Sequence, residues 1–269
     1  MFAVSRKELD IADSEALRVF FERVSPDFVI NCAAFTDVDG CESNREEAFK
    51  VNSTAAKEIA KACKRENAVF LHFSTDYVFD GKNAVGYAED DSPNPINVYG
   101  ESKLGGEIGI MDSLEEFYIV RTAWLYGMNG GNFVDTMLKL AGERESLNVV
   151  DDQKGSPTYA DDLVKAVIEY FLEPFVVNLP VQHAREVGEP KSSRNSLGFG
   201  VYHLTNLGVC SWHGFAKEIF RIKDLNVEVK PVSSVEFVRA AERPHCSILL
   251  NTKLPNLRSW EEALNAYLK

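Results

Sequence analysis

Short apolar runs alternate with amphipathic stretches through the first half of the 269-residue chain. Residues 28–34, 68–74 and 117–121 are nearly continuous apolar runs of strand length. Between them, in residues 43–62 and 97–111, apolar side chains recur at helical spacing. Continuous apolar strands are typical of a parallel sheet that is covered on both faces. The alternation therefore predicts an α/β fold with a doubly wound parallel sheet.

Capping residues set the expected ends of the first helices. Asp13 precedes an amphipathic stretch, and Pro26 ends it. Ser43, with a glutamate three residues later, has the spacing of a capping box at the start of the next helix. The short apolar segment at residues 2–4 predicts a further strand. These signals place one helix before the first long strand and another after it.

The pattern changes beyond Gly127, where we expect a smaller α+β lobe. Residues 180–199 are polar, contain two prolines and show no periodicity, so we expect an exposed loop there. Residues 151–158 form a polar turn segment. The remaining segments predict helices around residues 133–140 and 159–171, a strand at 201–204, a helix after Ser211 and a helix at 260–268. We expect a first lobe of residues 1–127, with 159–173 and about 200–205 packing onto it, and a second lobe of residues 128–158 and 206–269.

Composition and charge exclude several classes of protein. The net charge is −12, from 29 basic and 41 acidic residues, which argues against a nucleic-acid-binding surface. No apolar run reaches the roughly 18 residues that a membrane helix needs, and the N-terminus lacks a signal-peptide pattern. Five scattered cysteines without a CxxC pair indicate reduced thiols in a cytoplasmic protein. The histidines show no metal-binding spacing, and we assign no metal ligands.

One helix carries a candidate acid–base pair. The spacing of Tyr99 and Lys103 places them one turn apart on the same helix face. An ammonium beside a phenol lowers the tyrosine pKa, so we expect Tyr99 to exchange a proton with a carbonyl oxygen near neutral pH. Thr75, at the end of the preceding strand, can hydrogen-bond the same oxygen. The same spacing is common on solvated helix faces, so the pair alone leaves both interpretations open.

The surrounding motifs favour the catalytic interpretation. They are STDYVFDG at residues 74–81, Tyr99-Gly100 with Lys103, and RTAWLYG at residues 121–127. Their order and spacing resemble the extended short-chain dehydrogenase/reductase family, along nearly the whole chain. Within that family they look most like reductases of dTDP-linked 4-keto-6-deoxysugars. Each motif follows a predicted strand, where ligands bind in doubly wound folds.

The resemblance implies a Rossmann-like cofactor-binding lobe at residues 1–127 and a substrate-binding second lobe. Tyr99 would give a proton to the 4-keto oxygen, Lys103 would hold the nicotinamide ribose and tune Tyr99, and Thr75 would orient the carbonyl. Besides Tyr99 and Lys103, the implied cofactor contacts are Asp10, Ile11, Ala34, Phe35, Thr36 and Asn52. The implied substrate contacts are Thr75, Asp76, Tyr77, Val38, Trp124 and Arg243.

Two of the substrate contacts have alternative interpretations. Trp124 suits a platform for the sugar, although a tryptophan after a strand is more commonly a core residue. Arg243 can bind a diphosphate through two parallel hydrogen bonds, and an ordinary solvated arginine fits the sequence equally well.

The implied reaction is the reduction of dTDP-4-dehydro-L-rhamnose to dTDP-L-rhamnose, with a hydride from NADPH or NADH, in polysaccharide synthesis. The resemblance also raises a homodimer and a Mg²⁺ ion between subunits as expectations. Two alternatives stay open. One is a non-catalytic binding subunit, similar to the regulatory beta subunit of methionine adenosyltransferase. The other is a nucleotide-sugar epimerase or dehydratase, although dehydratases add a pair of carboxylates beside the tyrosine and only Asp76 follows Thr75 here.

The sequence departs from the family pattern at its start. Family members begin with a strand and a glycine-rich turn that holds the cofactor pyrophosphate. No such turn precedes Asp10, and the resemblance begins at about the family's second strand. We therefore expect the first strand of the sheet to be missing. Two interpretations follow: a shortened start relative to a normal enzyme, or a short form that binds the cofactor weakly or not at all.

Overall fold

The computed structural model describes residues 2–177 and 197–269. In chain order, the strands are β1 (Phe28–Asn31), β2 (Val69–Thr75), β3 (Phe117–Thr122), β4 (Leu125–Tyr126), β5 (Ser146–Val150), β6 (Lys154–Gly155), β7 (Thr158–Tyr159), β8 (Gly200–His203), β9 (Cys210–Ser211) and β10 (Glu228–Val232). The helices are α1 (Ser14–Val24), α2 (Val38–Ser43), α3 (Arg45–Phe49), α4 (Ala55–Glu66), α5 (Val98–Met111), α6 (Phe133–Ala141), α7 (Ala160–Val167), α8 (Glu173–Val177), α9 (Trp212–Ile222) and α10 (Trp260–Leu268). Lys50–Thr54 and Ile168–Leu172 are π-helical, and Asp76–Val78 is a turn of 3₁₀-helix.

The largest sheet has four parallel strands in the order β1-β2-β3-β8. Side chains alternate between its two faces. On one face, Phe70 and Ile119 pack in a core with α1, α4 and α5. On the other, Leu71 and Val120 pack against α7 and the π-helical turn that follows it. Both faces are covered, which explains the continuous apolar strands and confirms the predicted doubly wound fold.

A second core lies in the later part of the chain. Its buried aromatic residues include Tyr126, Phe215 and Trp260, which bring together α6, α9, α10 and β5. A parallel pair, β5 and β10, adds a small sheet beside α9. The sequence pattern did not predict this pair. β10 contains a proline and two charged residues and is largely exposed, so it lacks the apolar signal of a covered strand.

Several predicted boundaries are wrong. Residues 2–4 form no strand in the structure and are exposed. The capping box at Ser43 is also wrong, because Asp37 caps a helix that starts earlier and Ser43 is its last residue. The segment 151–158 contains the short strands β6 and β7 rather than turns alone. Of the loop expected at residues 180–199, all but the last three residues lie outside the described part of the chain.

Two of the composition-based expectations can be compared with the structure. The structure describes all five cysteines, and none of them forms a disulfide bond. Within residues 2–177 and 197–269, no helix has the length and apolar character that crossing a membrane requires.

Candidate active site

The turn after β2 presents three of the predicted site residues. The Thr75 hydroxyl accepts a hydrogen bond from the Tyr77 amide at 3.2 Å and donates one to Asp76 Oδ1 at 3.0 Å. Thr75 thereby caps the 3₁₀ turn, which fixes Asp76 and Tyr77 just beyond the carboxyl end of the strand. The local sequence thus explains why these residues lie at the edge where parallel sheets bind ligands.

Helix α5 brings Tyr99 and Lys103 to the same edge. The Asn97 side chain accepts the Gly100 amide at 2.8 Å and starts the helix two residues before Tyr99. At Gly106, a Cβ atom would overlap the backbone carbonyl of Asn52, so only glycine lets α5 approach the neighbouring π-helical turn so closely. This close packing sets the height at which Tyr99 and Lys103 meet the end of β2.

Tyr99 is half-buried beside the turn after β2. Its ring lies edge-on to that of Tyr77, with the centroids 5.8 Å apart. Burial raises the pKa of Tyr99 above its ordinary value; hydrogen bonding with Thr75 acts in the opposite direction, and the charge of Asp76 adds to the rise. The Lys103 amine donates to the Phe73 carbonyl at 2.6 Å and lies 3.1 Å from His72 Nε2. The expected lowering of the Tyr99 pKa is therefore wrong for this structure, because burial dominates.

Asp76 is a buried carboxyl group, with 3% of its surface exposed. Burial raises its pKa to about 6, although hydrogen bonds from Ser247 and Thr75 partly oppose the rise. Among the described residues, its Oδ2 atom has no hydrogen-bond partner. A carboxyl group that titrates near neutral pH can accept or donate a hydrogen bond, so this oxygen is suited to a polar ligand group.

Arg243 belongs to a partly buried ion pair. Its Nη1 and Nη2 atoms lie 2.6 and 2.9 Å from the two carboxylate oxygens of Asp39 in α2. The pair holds the pKa of Asp39 down at about 2, with the hydrogen bond from Arg243 as the largest cause. Burial raises the pKa of the Tyr77 hydroxyl, next to the site, and Arg243 opposes this rise through its charge and a hydrogen bond. With 14% of its side chain exposed, Arg243 is not the solvated arginine of the alternative interpretation.

Trp124 packs against the second core and against the smaller apolar cluster that contains Val78 and Phe79, next to the turn after β2. Its backbone has φ of +47°, a strained value for a residue other than glycine. Its ring stacks on Trp212 with centroids 3.5 Å apart and planes 6° from parallel. At Gly155, a Cβ atom would lie 2.5 Å from the Trp124 ring. The ring therefore stacks on Trp212 on one side, and on another it occupies space that is open only because residue 155 is glycine.

The predicted cofactor contacts form two groups. Ala34 and Thr36 flank Phe35 in the loop after β1, and the amide of Phe35 donates to Asn52 Oδ1 at 2.8 Å. The Asn52 amide donates in turn to the Phe35 carbonyl at 3.0 Å. Asn52 is buried, so the structure shows it supporting this loop.

The second group lies before α1. Ile11 lines a groove with Lys50 and Thr54, and Asp10 accepts a hydrogen bond from the amide two residues later. Val38, a predicted substrate contact, is the first residue of α2 and lies beside the Asp39 pair. The structure therefore places Thr75, Asp76, Tyr77, Tyr99 and Arg243 in one cluster, whereas Ile11 lines a separate groove and Asp10 precedes it in the chain.

Sequence reasoning missed three residues of this cluster. Hydrogen bonding with Ser247 lowers the pKa of Asp76. Asp39 forms the ion pair with Arg243, and His72 contacts Lys103. Only His72 carried a signal: it interrupts the apolar run of β2 before the polar residues that end the strand. Asp39 and Ser247 reach the site through long-range contacts that no local pattern indicates.

The described residues also bear on metal binding. Within ranges 2–177 and 197–269, no group of three or more His, Cys, Asp or Glu residues lies where it could hold a metal ion. The structure therefore offers no support for the Mg²⁺ ion that the family resemblance raised.

A parallel doubly wound sheet, with a tyrosine and a lysine one turn apart beside a strand-terminal threonine, defines an extended short-chain dehydrogenase/reductase. Comparison with known proteins narrows this class. The family described as the RmlD substrate binding domain matches residues 1–269, and the chain belongs to it.

Two curated relatives and one solved structure illustrate the similarity. The spore coat polysaccharide biosynthesis protein SpsK of Bacillus subtilis (strain 168) is 38% identical over 273 residues, covering 100% of this chain and 88% of SpsK. The dTDP-4-dehydrorhamnose reductase of Streptomyces griseus is 37% identical, over 97% of this chain and 83% of that protein. The crystal structure of the Bacillus anthracis dTDP-4-dehydrorhamnose reductase, in complex with NADP, has a TM-score of 0.87 at 37% identity and covers 99% of this chain and 88% of that one.

Proposed function

We propose that this chain catalyses the NADPH-dependent reduction of dTDP-4-dehydro-L-rhamnose to dTDP-L-rhamnose. The names of its relatives support this assignment, and NADP in the Bacillus anthracis structure supports NADPH over NADH. The observation that carries the proposal is the cluster at the end of β2, where Tyr99 lies against Tyr77 in the turn that Thr75 caps, and one helical turn from Lys103.

The loop after β1 and the end of β2 fit part of a dinucleotide cofactor, whereas no glycine-rich turn for the pyrophosphate precedes Asp10. Thr36 is exposed in the loop after β1, and Asn52 fixes the backbone of that loop. Tyr99 and Lys103 offer a hydroxyl and an amine to the hydroxyls of a ribose. When it is bound, NADPH supplies the hydride.

The protonation state of Tyr99 suits reduction. Burial keeps its pKa above the ordinary value, so the phenol carries its proton at neutral pH and can give it to the substrate's carbonyl oxygen. Thr75 can hold the same oxygen in place when its hydroxyl proton, which Asp76 Oδ1 accepts in this structure, turns to the substrate. Holding the carbonyl between two hydroxyls aligns it before reaction, and such alignment is a large part of catalysis.

The other predicted contacts would hold the nucleotide sugar. Asp76 presents an unpartnered carboxyl oxygen to a sugar hydroxyl, and Trp124 presents a ring that Trp212 supports. Arg243 would bind the diphosphate, which then competes with Asp39 for the same N–H groups. Tyr77 and Val38 line the same region. The homodimer and the cytoplasmic location expected from the sequence remain predictions, and light scattering of the purified chain tests the first.

The test is the substitution Tyr99→Phe, with Tyr170→Phe as the matched control. Loss of the proton donor should reduce turnover by about 10²- to 10⁴-fold, measured as NADPH oxidation with the 4-keto sugar nucleotide. Calorimetry should show nearly unchanged affinity for the product dTDP-L-rhamnose. The control removes a tyrosine hydroxyl on the far face of the sheet, in the π-helical turn after α7, and should leave turnover unchanged.

Two outcomes would overturn the proposal. Near-full turnover by Tyr99→Phe would remove Tyr99 from the mechanism. A native chain that binds the nucleotide sugar but oxidises no NADPH would favour the binding-subunit alternative.

A further inference from the structure

A chain of hydrogen bonds joins Lys103 to the loop after β1. The Ala33 amide donates to Asn31 Oδ1 at 3.0 Å, and Asn31 Nδ2 lies 3.1 Å from His72 Nδ1. On the other side of the imidazole, His72 Nε2 lies 3.1 Å from Lys103 Nζ, which donates to the Phe73 carbonyl at 2.6 Å. Asn31, His72 and Lys103 are all buried, and Asn31 and His72 are register partners on adjacent strands.

Only one assignment of donors and acceptors satisfies every group in this series of hydrogen bonds. Since Asn31 Oδ1 accepts the backbone amide, Asn31 Nδ2 must donate to His72 Nδ1. A neutral imidazole then carries its proton on Nε2, which points at Lys103. An ammonium group has only donors and cannot accept this proton, whereas a neutral amine has a free lone pair.

We propose that His72 and Asn31 are positioning residues that stabilise Lys103 as a neutral amine, through a hydrogen-bond chain running from the Ala33 amide to the Phe73 carbonyl. Protonation of Lys103 moves the His72 proton to Nδ1. The Asn31 amide must then turn its oxygen to the imidazole, which breaks its bond with Ala33. The role in catalysis rests on the proposed reductase function; the tautomer and the charge of Lys103 do not.

The electrostatic surroundings act in the same direction. Burial lowers the pKa of Lys103 to about 8, although the charge of Glu107 one turn further along α5 opposes this. Arg121 on β3 pairs with Glu107 at 2.6 Å and offsets that charge. Burial, followed by the charge of Lys103 when it is an ammonium group, lowers the pKa of His72 well below its ordinary value, so the imidazole is neutral. The other titratable groups at this end of the sheet are Tyr99, Asp76, Tyr77 and Cys41.

The proposal couples the charge of Lys103 to the candidate cofactor loop. Ala33 lies immediately before residues 34–36, which are the predicted cofactor contacts in that loop. Each protonation of Lys103 therefore costs the loop one anchoring hydrogen bond, and each deprotonation restores it. A ligand that favours the ammonium form should loosen this anchor, and one that favours the amine should keep it.

The first test reads the His72 tautomer directly. Two-bond ¹H–¹⁵N correlation spectra of the uniformly labelled full chain distinguish Nε2–H from Nδ1–H imidazoles, and His72→Gln assigns the signal. Above the Lys103 pKa of about 8, we expect the Nε2–H form. An Nδ1–H tautomer at that pH would overturn the proposal. With His72 intact, His203→Gln removes another imidazole whose pKa is lowered by burial, so the remaining signal that resists protonation as the pH falls is that of His72.

The second test reverses the hydrogen-bond chain with Asn31→Asp. A carboxylate accepts from both Ala33 and His72 Nδ1–H, so His72 Nε2 becomes an acceptor for an ammonium group. The midpoint of the Lys103 ¹³Cε titration should rise by about one pH unit or more. The control is Asn97→Asp. Asn97 is also buried and lies at the start of α5, so this substitution adds the same charge at a residue that is not part of the hydrogen-bond series.

The comparison of the two variants decides the outcome. A clearly larger rise in Asn31→Asp than in Asn97→Asp supports the proposal, because a through-space charge effect alone would move both. Equal shifts, or a native Lys103 that titrates like an exposed lysine, would overturn it. Neither measurement uses turnover. If the protein shows no reductase activity but His72 is the Nε2–H tautomer, the proposed function is refuted and this inference still holds.

Discussion

The buried carboxyl group of Asp76 should make the stability of the protein fall as the pH rises from acid to neutral. Burial raises its folded-state pKa to about 6, from an ordinary value of 3.8. The folded chain then holds a proton that the unfolded chain has lost, so stability is greatest below the unfolded pKa and declines through the folded one. The difference of roughly two pKa units corresponds to about 3 kcal/mol.

Urea unfolding of the native chain and of Asp76→Asn, at several pH values, measures this effect. Between about pH 4.5 and 7.5, the free energy of unfolding of the native chain should fall by about 2 kcal/mol relative to the variant, since part of the transition lies below that window. Asp27→Asn, at an exposed position, is the control and should follow the native curve. Parallel curves for the native chain and Asp76→Asn would refute the reasoning, because the carboxyl group would then titrate alike in both states.

Three further substitutions test the walls of the site. Gly155→Ala should push the Trp124 ring from its place and weaken binding of the dTDP-sugar by tenfold or more in calorimetry, with folding retained. Asn52→Ala leaves a buried loop amide and carbonyl without partners, so thermal or urea unfolding should show a loss of about 2 kcal/mol. Arg243→Lys cannot reproduce the two-pronged contact with Asp39 and should destabilise the fold by about 1 kcal/mol while weakening diphosphate binding.

Each of these has a result that would contradict it. Unchanged sugar affinity in Gly155→Ala would mean that Trp124 does not contact the ligand. An Asn52→Ala variant as stable as the native chain would mean that water replaces the lost amide. Normal nucleotide-sugar binding in Arg243→Lys would remove Arg243 from the diphosphate site.

The sequence predicted the parts of the site that local patterns specify. The apolar run of β2 ends at Thr75, and Asn97 starts the helix that carries Tyr99, so both elements and their meeting point followed from the chain. The sign of the Tyr99 pKa shift did not follow, because it depends on burial by residues distant in sequence. The same holds for the partner of Arg243, which lies 204 residues away.

The β5 and β10 pair was missed for a related reason. A strand that is largely exposed and carries charged residues lacks the apolar signature that marks the central strands, so only its pairing with β5 identifies it. Local sequence patterns therefore predicted the sheet and the helix that carries Tyr99 and Lys103. The pKa shifts of the site residues depend on tertiary contacts that those patterns do not indicate.

The ion pair between Asp39 and Arg243 has a consequence for biosynthesis of the chain itself. When strand β3 emerges from the ribosome, Thr75, Tyr99 and Lys103 have already emerged, whereas Arg243 lies more than a hundred residues further along the chain. Contacts of such long sequence separation form late in folding because the intervening loop must first be closed. We therefore expect the nascent chain to pass through a period in which Thr75, Tyr99 and Lys103 can come together while Asp39 has no guanidinium beside it. Truncations or stalled chains that end before Arg243 should accumulate in that half-assembled state.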